Sequence, residues 1–372
     1  MNASIKLGRV RGIPIGIHAS WFLVFGLITL SLTQGYFAQE YPHLSTIAHL
    51  GLALVTSVLF FSSVVLHELG HSIIAVRNKI PVKGITLFIF GGIAQISREP
   101  DSPGVEFRIA IAGPLVSFSL AGLFGGLYLL GNQIPILAAS SAYLMRLNFS
   151  LALFNLIPGF PLDGGRIFRA IVWKLTNSYQ RATKIATTGG QIIALGFIGL
   201  GILGVFTGQI VNGLWLVFIG WFLQSAASFI NRQTRMQEIL KGVTVEQAMS
   251  RDCIEVPGLT TINQLVQEKV LSSGQRCFFV TDFQGNLQGL LTLDDISRIP
   301  QQKWRFITAE QVMTPFSNLS KVEADSELLS ALKAMEESNI SQVPVVQYNR
   351  PIGLISKDQV LHYLQLRTQL GI

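Results

Sequence analysis

The chain has 372 residues, 49% hydrophobic and only 13% charged, with a mean hydropathy of +0.46. That is about half the charge of an average soluble protein, which excludes a wholly water-soluble globular enzyme. The net charge of +7 does not point to nucleic acid, because the cationic excess lies entirely before about residue 236, in the apolar portion, where anionic lipid accounts for it.

A head carrying Lys6, Arg9 and Arg11 leads into the first of six stretches long enough to cross a bilayer, near residues 19–36, 47–76, 107–130, 136–158, 187–206 and 211–230. The first runs straight into further spans, so an uncleaved anchor is expected rather than a removable signal. Lys and Arg sit before span one, between spans two and three, between four and five, and after six. The opposite connections, 34–46, 131–135 and 207–210, have none. By the positive-inside rule this predicts a multi-pass plasma-membrane protein with both termini cytoplasmic. Between spans two and three, residues 85–97 are too short and too β-branched for a span, and Gly91-Gly92 marks a turn between two strands.

The last two turns of span two carry His67-Glu68-Leu69-Gly70-His71. A carboxylate near the bilayer interior costs a few kcal/mol even on lenient scales, so it is rarely there without a task. On a helix, residues i and i+4 share one face, so His67 and His71 can grip one zinc ion while Glu68 polarises a water upon it. Span four runs in the same direction and ends in Asn155-Leu156-Ile157-Pro158-Gly159-Phe160-Pro161-Leu162-Asp163-Gly164-Gly165. Zinc hydrolases use three protein ligands and leave one position for water, and Asp163 is the best third donor. A Pro-Leu-Asp-Gly turn is the plain alternative. The matching depth of Asp163 and the histidine pair favours the ligand reading. The prolines and the Gly pair break the helix, tolerable at that depth only where the released backbone lines a polar cavity.

These two motifs, with the Ile17-His18-Ala19-Ser20-Trp21 opening, resemble the site-2 protease family of intramembrane zinc metalloproteases over about residues 1–230. The resemblance implies His67, His71 and Asp163 as zinc ligands and Glu68 as general base and proton shuttle. It also implies that Asn155 positions the peptide or stabilises the oxyanion. In that family the region around 85–97 forms a short membrane-embedded sheet, which bottom-up would pair with a substrate drawn out as a strand. Arg146 departs from the family pattern by placing a charge in the outer half of span four. His18 reads as an interfacial anchor, and His43, His49 and His362 carry no assigned chemistry.

From about Gln237 the charge rises and a repeat offset by 64 residues appears: Val245–Met249 answers Ala309–Met313, and Gly289–Thr292 answers Gly353–Ser356. Each copy reads as strand, turn, strand, helix, and resembles one half of a tandem CBS pair. The expected architecture is therefore a polytopic α-helical membrane domain over 1–235, with a small embedded β segment. A soluble α/β CBS pair follows, with repeats at 236–302 and 303–372. The CBS resemblance implies an adenine-nucleotide site using Thr292 and Asp295 in the first copy. The second keeps Ser356 but has Gln359 where the carboxylate belongs, so one good site is expected, against a pair that only dimerises. Cys253 and Cys277 are expected to be reduced thiols on the cytoplasmic side.

The predicted function is intramembrane proteolysis of single-span membrane proteins by a one-zinc enzyme, modulated by adenine nucleotide, with a homodimer through the CBS pair and no nucleic-acid partner. A CBS-gated channel is the competing class, but it leaves both metal motifs unexplained, and a non-proteolytic scaffold has no support in residues.

Overall fold

The computed structural model describes residues 5–89, 91–131, 134–337, 340–348 and 350–370. They form two compact units, Met1–Arg232 and Gln233–Ile372.

In the first unit the long helices are α1 (Trp21–Glu40), α2 (Thr46–Arg77), α3 (Pro103–Leu130), α4 (Pro135–Asn155), α6 (Tyr179–Phe206) and α7 (Ile210–Leu240), with a short α5 (Asp163–Thr176) between α4 and α6. The six long helices are apolar enough to cross a membrane. Their large apolar side chains point outward, as Leu54, Val55 and Val58 do on α2 and Ile192, Leu195 and Leu203 on α6. That inversion suits lipid, which is as apolar as leucine and leaves helix association to close packing and hydrogen bonds. The helix–helix seams are accordingly small and polar. Thr56 donates to Ser140 at 3.0 Å and Thr29 to Ser57 at 3.0 Å. Gly201 and Gly213 bring α6 and α7 so close that a Cβ on either would lie within 2.6 Å of the other's carbonyl oxygen.

A four-stranded sheet lies against α2. Its strands are β1 (Ile5–Val10), β2 (Ile13–Ile17), β3 (Val82–Phe88) and β4 (Gly91–Ile96), in that order across the sheet. β2 and β3 run parallel with Ile15 opposite Ile85, and the other pairs are antiparallel. Ile13, Ile15 and Ile85 bury against Leu69 of α2. Only β3 and β4 were expected. The β1–β2 hairpin reads in sequence as a basic leader because Lys6 and Arg9 lie on a fully exposed strand. Its turn, Arg11-Gly12 at φ 50° and 83°, has the two positive φ values that a two-residue hairpin loop requires. Gly91-Gly92, expected to mark the turn, instead opens β4, and β4 forms one edge of the sheet.

In the second unit β5 (Ile254–Pro257), β6 (Cys277–Thr281), β7 (Leu287–Thr292) and β8 (Thr314–Pro315) form one sheet. β9 (Val322–Glu323), β10 (Gln342–Gln347) and β11 (Arg350–Ser356) form another. The two copies of the repeated Thr-x-x-Gln fold as capping boxes, Thr244 with Gln247 and Thr308 with Gln311, which is why that stretch recurs. The two cores exchange segments. Leu240, Val243 and Val245 pack with Leu328, Val345 and Ile355, while Ala309 and Val312 pack with Ile262, Phe278 and Leu291.

The expectation of reduced thiols is corrected here. Cys253 and Cys277 are disulfide-bonded, with Cα atoms 4.7 Å apart. They precede the parallel-paired residues Ile254 and Phe278, so strand register delivers them to bonding range. An argument from compartment alone cannot see that proximity.

Candidate metal centre

Helical spacing puts His67 and His71 on the face of α2 that meets α3, where both rings are buried. Gly70 permits the approach, since a Cβ there would lie 2.9 Å from the Val116 side chain. Each ring is held by its Nδ1. That of His71 donates to the Ile109 carbonyl at 2.6 Å, and that of His67 pairs with the Ser117 hydroxyl at 2.9 Å. A carbonyl can only accept, so His71 carries its proton on Nδ1 and presents Nε2 as a bare lone pair. Gly113 of α3 makes the floor of the cluster. A Cβ there would lie 2.1 Å from His71 Nε2 and 2.6 Å from His67 Nε2.

The third group arrives from the other side. α4 ends at Asn155, and a loop leads to Asp163 in the first turn of α5. Backbone runs against backbone there. A Cβ on Gly164 would fall 2.2 Å from Leu156 O, one on Gly165 2.3 Å from Gly159 C, and one on Gly190 of α6 2.2 Å from Phe160 O. The Gly pair after Asp163 thus lets the chain fold onto itself, and Gly190 lets α6 brace it.

The result is a triangle of ligand-capable atoms. Asp163 Oδ2 lies 3.1 Å from both Nε2 atoms, which are 3.2 Å from each other. Three such atoms converging in a buried site call for a proton or a metal cation among them. Zinc bonds of about 2.0–2.1 Å in tetrahedral geometry would space three ligands by about 3.3 Å, so the group fits zinc with one position left for water. No other cluster of metal-binding side chains of this kind occurs among the described residues. Glu68, next along α2, packs against the glycine-rich start of β4. A Cβ on Gly92 would lie 2.6 Å from its Cγ and 3.4 Å from its Oε1.

The structure therefore brings together His67, Glu68, His71 and Asp163. Asn155 closes α4, half-buried, and no hydrogen bond joins it to the cluster among the described residues. Ile109, Gly113 and Ser117, which complete the site, were not picked out from the sequence. Their only trace is Gly113-Pro114 inside an apolar span. His18 pairs with Ser20 at 2.8 Å, and Arg146 lies 6.0 Å over the Tyr36 ring, which gives its charge an aromatic neighbour. Arg169, legible in the sequence only as one of the cations between spans four and five, is buried on α5. Burial opposes its charge, but the Glu106 carboxylate beside it more than offsets that, so its pKa is raised and the guanidinium stays charged.

In the second unit a cavity of about 860 Å³ is lined by Asp252, Arg276, Ser341, Ser356, Lys357 and His362, among others. Ser356 is on its wall. Thr292 and Asp295 face each other instead, the Thr292 hydroxyl donating to Asp295 Oδ2 at 2.7 Å as the cap of the following helix.

Residues 55–139 and 135–197 match the profile of Peptidase family M50, and residues 245–301 and 309–366 match that of the CBS domain. A candidate zinc metalloprotease of Synechocystis is 36% identical over 370 residues, covering 98% of this chain and 96% of the relative. A zinc metalloprotease of Methanocaldococcus jannaschii is 30% identical, covering 98% and 97%. The solved site-2 protease from the same archaeon is 34% identical over 61% of this chain and 95% of its own, with a TM-score of 0.43.

Proposed function

The chain belongs to peptidase family M50 and is a multi-pass membrane zinc metalloprotease of the site-2 type with tandem CBS domains; from that premise we propose that it cuts single-span membrane proteins within or beside their spans. The observation that carries the assignment of roles is the buried triangle of His67 Nε2, His71 Nε2 and Asp163 Oδ2. These three would hold the zinc; the Ile109 carbonyl would fix the His71 imidazole in the ligating tautomer, and the Ser117 hydroxyl would hold the orientation of the His67 ring. When bound, zinc supplies Lewis acidity that makes a nucleophile of water near neutral pH.

The protein's own residues do the rest. Glu68 takes the proton of the attacking water and returns it to the nitrogen of the leaving amine, its side chain packed against Gly92. The side chain of Asn155 orients the peptide or donates to the carbonyl oxygen as negative charge develops on it, worth a few kcal/mol. A transmembrane helix hides each scissile carbonyl in its own hydrogen bonds, so the substrate must unwind. The edge strand β4 beside Glu68 offers backbone partners to the segment so released. Weakly helical spans are then the preferred substrates.

Both termini would face the cytoplasm, by the distribution of Lys and Arg. The cavity bordered by Ser356, Arg276 and Lys357 would take an adenine nucleotide that alters substrate access, in a homodimer through the CBS pair. Purified protein in lipid, mixed with a tagged single-span substrate, tests the reading. Wild type should cut within or beside the apolar segment, as located by mass spectrometry, and Glu68→Gln should not. Cutting only in soluble flanks, or equal cutting by both, would overturn it.

A further inference from the structure

Two ligand sets come from different parts of the chain, and something must hold them in register. α3 orients the histidines through Ile109 and Ser117, while Asp163 rides on α5. The buried side chains that join these helices are Glu106, one turn before Ile109, and Arg169, less than two turns after Asp163. They are 0% and 4% exposed.

Arg169 spends its donors on several elements at once. Nε donates to Glu106 Oε1 at 2.7 Å, Nη2 reaches the same oxygen, and Nη1 donates to the Tyr179 hydroxyl at 2.7 Å. Its plane lies 4.9 Å from the Phe160 ring and 4.7 Å from that of Tyr179. Phe160 belongs to the loop that delivers Asp163, with its backbone clasped by Gly165 and Gly190. One guanidinium therefore touches the start of α3, the ligand loop and the start of α6. A buried ion pair is weak evidence for stability, since apolar residues of like volume often serve as well. Its directionality is what they do not supply.

We propose that Arg169, through Glu106 and Phe160, is a positioning residue for the metal site, setting the Asp163 carboxylate against the two histidines. The proposal rests on the assignment of His67, His71 and Asp163 as zinc ligands. The test uses the full chain in detergent: wild type, Arg169→Lys, and the apolar pair Glu106→Leu with Arg169→Met. Zinc affinity is measured by chelator competition, ligand geometry by the visible spectrum of the cobalt-loaded protein, and folding by thermal unfolding. Arg169→Lys keeps the charge but loses the planar fork. It should bind zinc at least about tenfold more weakly, the lower end of what outer partners of a metal site contribute, with an altered cobalt spectrum. The apolar pair should unfold near the wild-type temperature yet bind zinc as weakly as Arg169→Lys. Zinc affinity that returns to wild type together with stability in the apolar pair, or that is unchanged in Arg169→Lys, would reduce Arg169 to a packing role and overturn the proposal. Wild type that binds no zinc would instead overturn the ligand assignment, a failure visible before any variant is compared.

Discussion

Gly113→Ala is the substitution that tests the geometry of the site most directly. A Cβ at this position would lie 2.1 Å from His71 Nε2 and 2.6 Å from His67 Nε2, where ordinary contact begins at 3.4 Å. The His71 ring would have to retreat by about 1.3 Å, since the competing atoms are helix-borne on both sides. Metal ligands tolerate about 0.2 Å, and a 1 Å misplacement in a catalytic group can cost about a hundredfold in rate. The same change in a helix interior favours the fold by up to about 1 kcal/mol, because alanine loses less backbone entropy than glycine. Zinc content, proteolysis of a single-span substrate and thermal unfolding would be measured on one preparation. The expected result is a chain that still unfolds cooperatively, at a temperature lowered by the overpacking and the lost ion, with zinc depleted and cutting reduced at least about a hundredfold. Retention of full zinc and full activity would refute the reasoning, because the two imidazoles as they stand leave no room for that methyl group.

Gly92→Ala should act on the neighbouring group alone: its Cβ meets Glu68 Cγ at 2.6 Å, so zinc should be kept while cutting falls about tenfold or more. Loss of zinc in that variant would show that β4 shapes the ligands rather than the base. Ser117→Ala removes the partner of His67 Nδ1 and should weaken zinc binding about tenfold, as read by chelator competition. Unchanged affinity would mean that packing alone fixes the ring. Cys253 and Cys277 should resist alkylation in the denatured, unreduced chain and take up two labels after reduction; immediate labelling of both would return the pair to free thiols.

Much of the membrane unit is legible in one dimension. The six spans follow from length and hydropathy, and the tandem pair follows from the 64-residue offset that returns Val245–Met249 as Ala309–Met313. The HExxH stretch stands out because three polar residues interrupt an uncharged run. What remained hidden depends on partners distant in sequence. Ser117 and Gly113 look like any small residues of an apolar helix, and only their position under the histidines gives them meaning. Glu106 and Arg169 enter a charge count as flanking residues of spans, although both are buried against each other. The β1–β2 hairpin was missed because its outer strand has no buried face to impose an alternating pattern. In the CBS pair, Thr292 and Asp295 were singled out for their side-chain chemistry, which is also the chemistry of a helix cap, and the structure pairs them in that way.

Zinc measured per chain in wild type, Glu68→Gln and Asp163→Asn, purified together without added metal, tests the central claim most directly. The account predicts about one zinc in wild type and in Glu68→Gln, and a clear loss in Asp163→Asn, because a three-ligand site with one carboxylate removed cannot hold the ion as tightly. Equal zinc in wild type and Asp163→Asn would contradict it, as would a wild type that carries none.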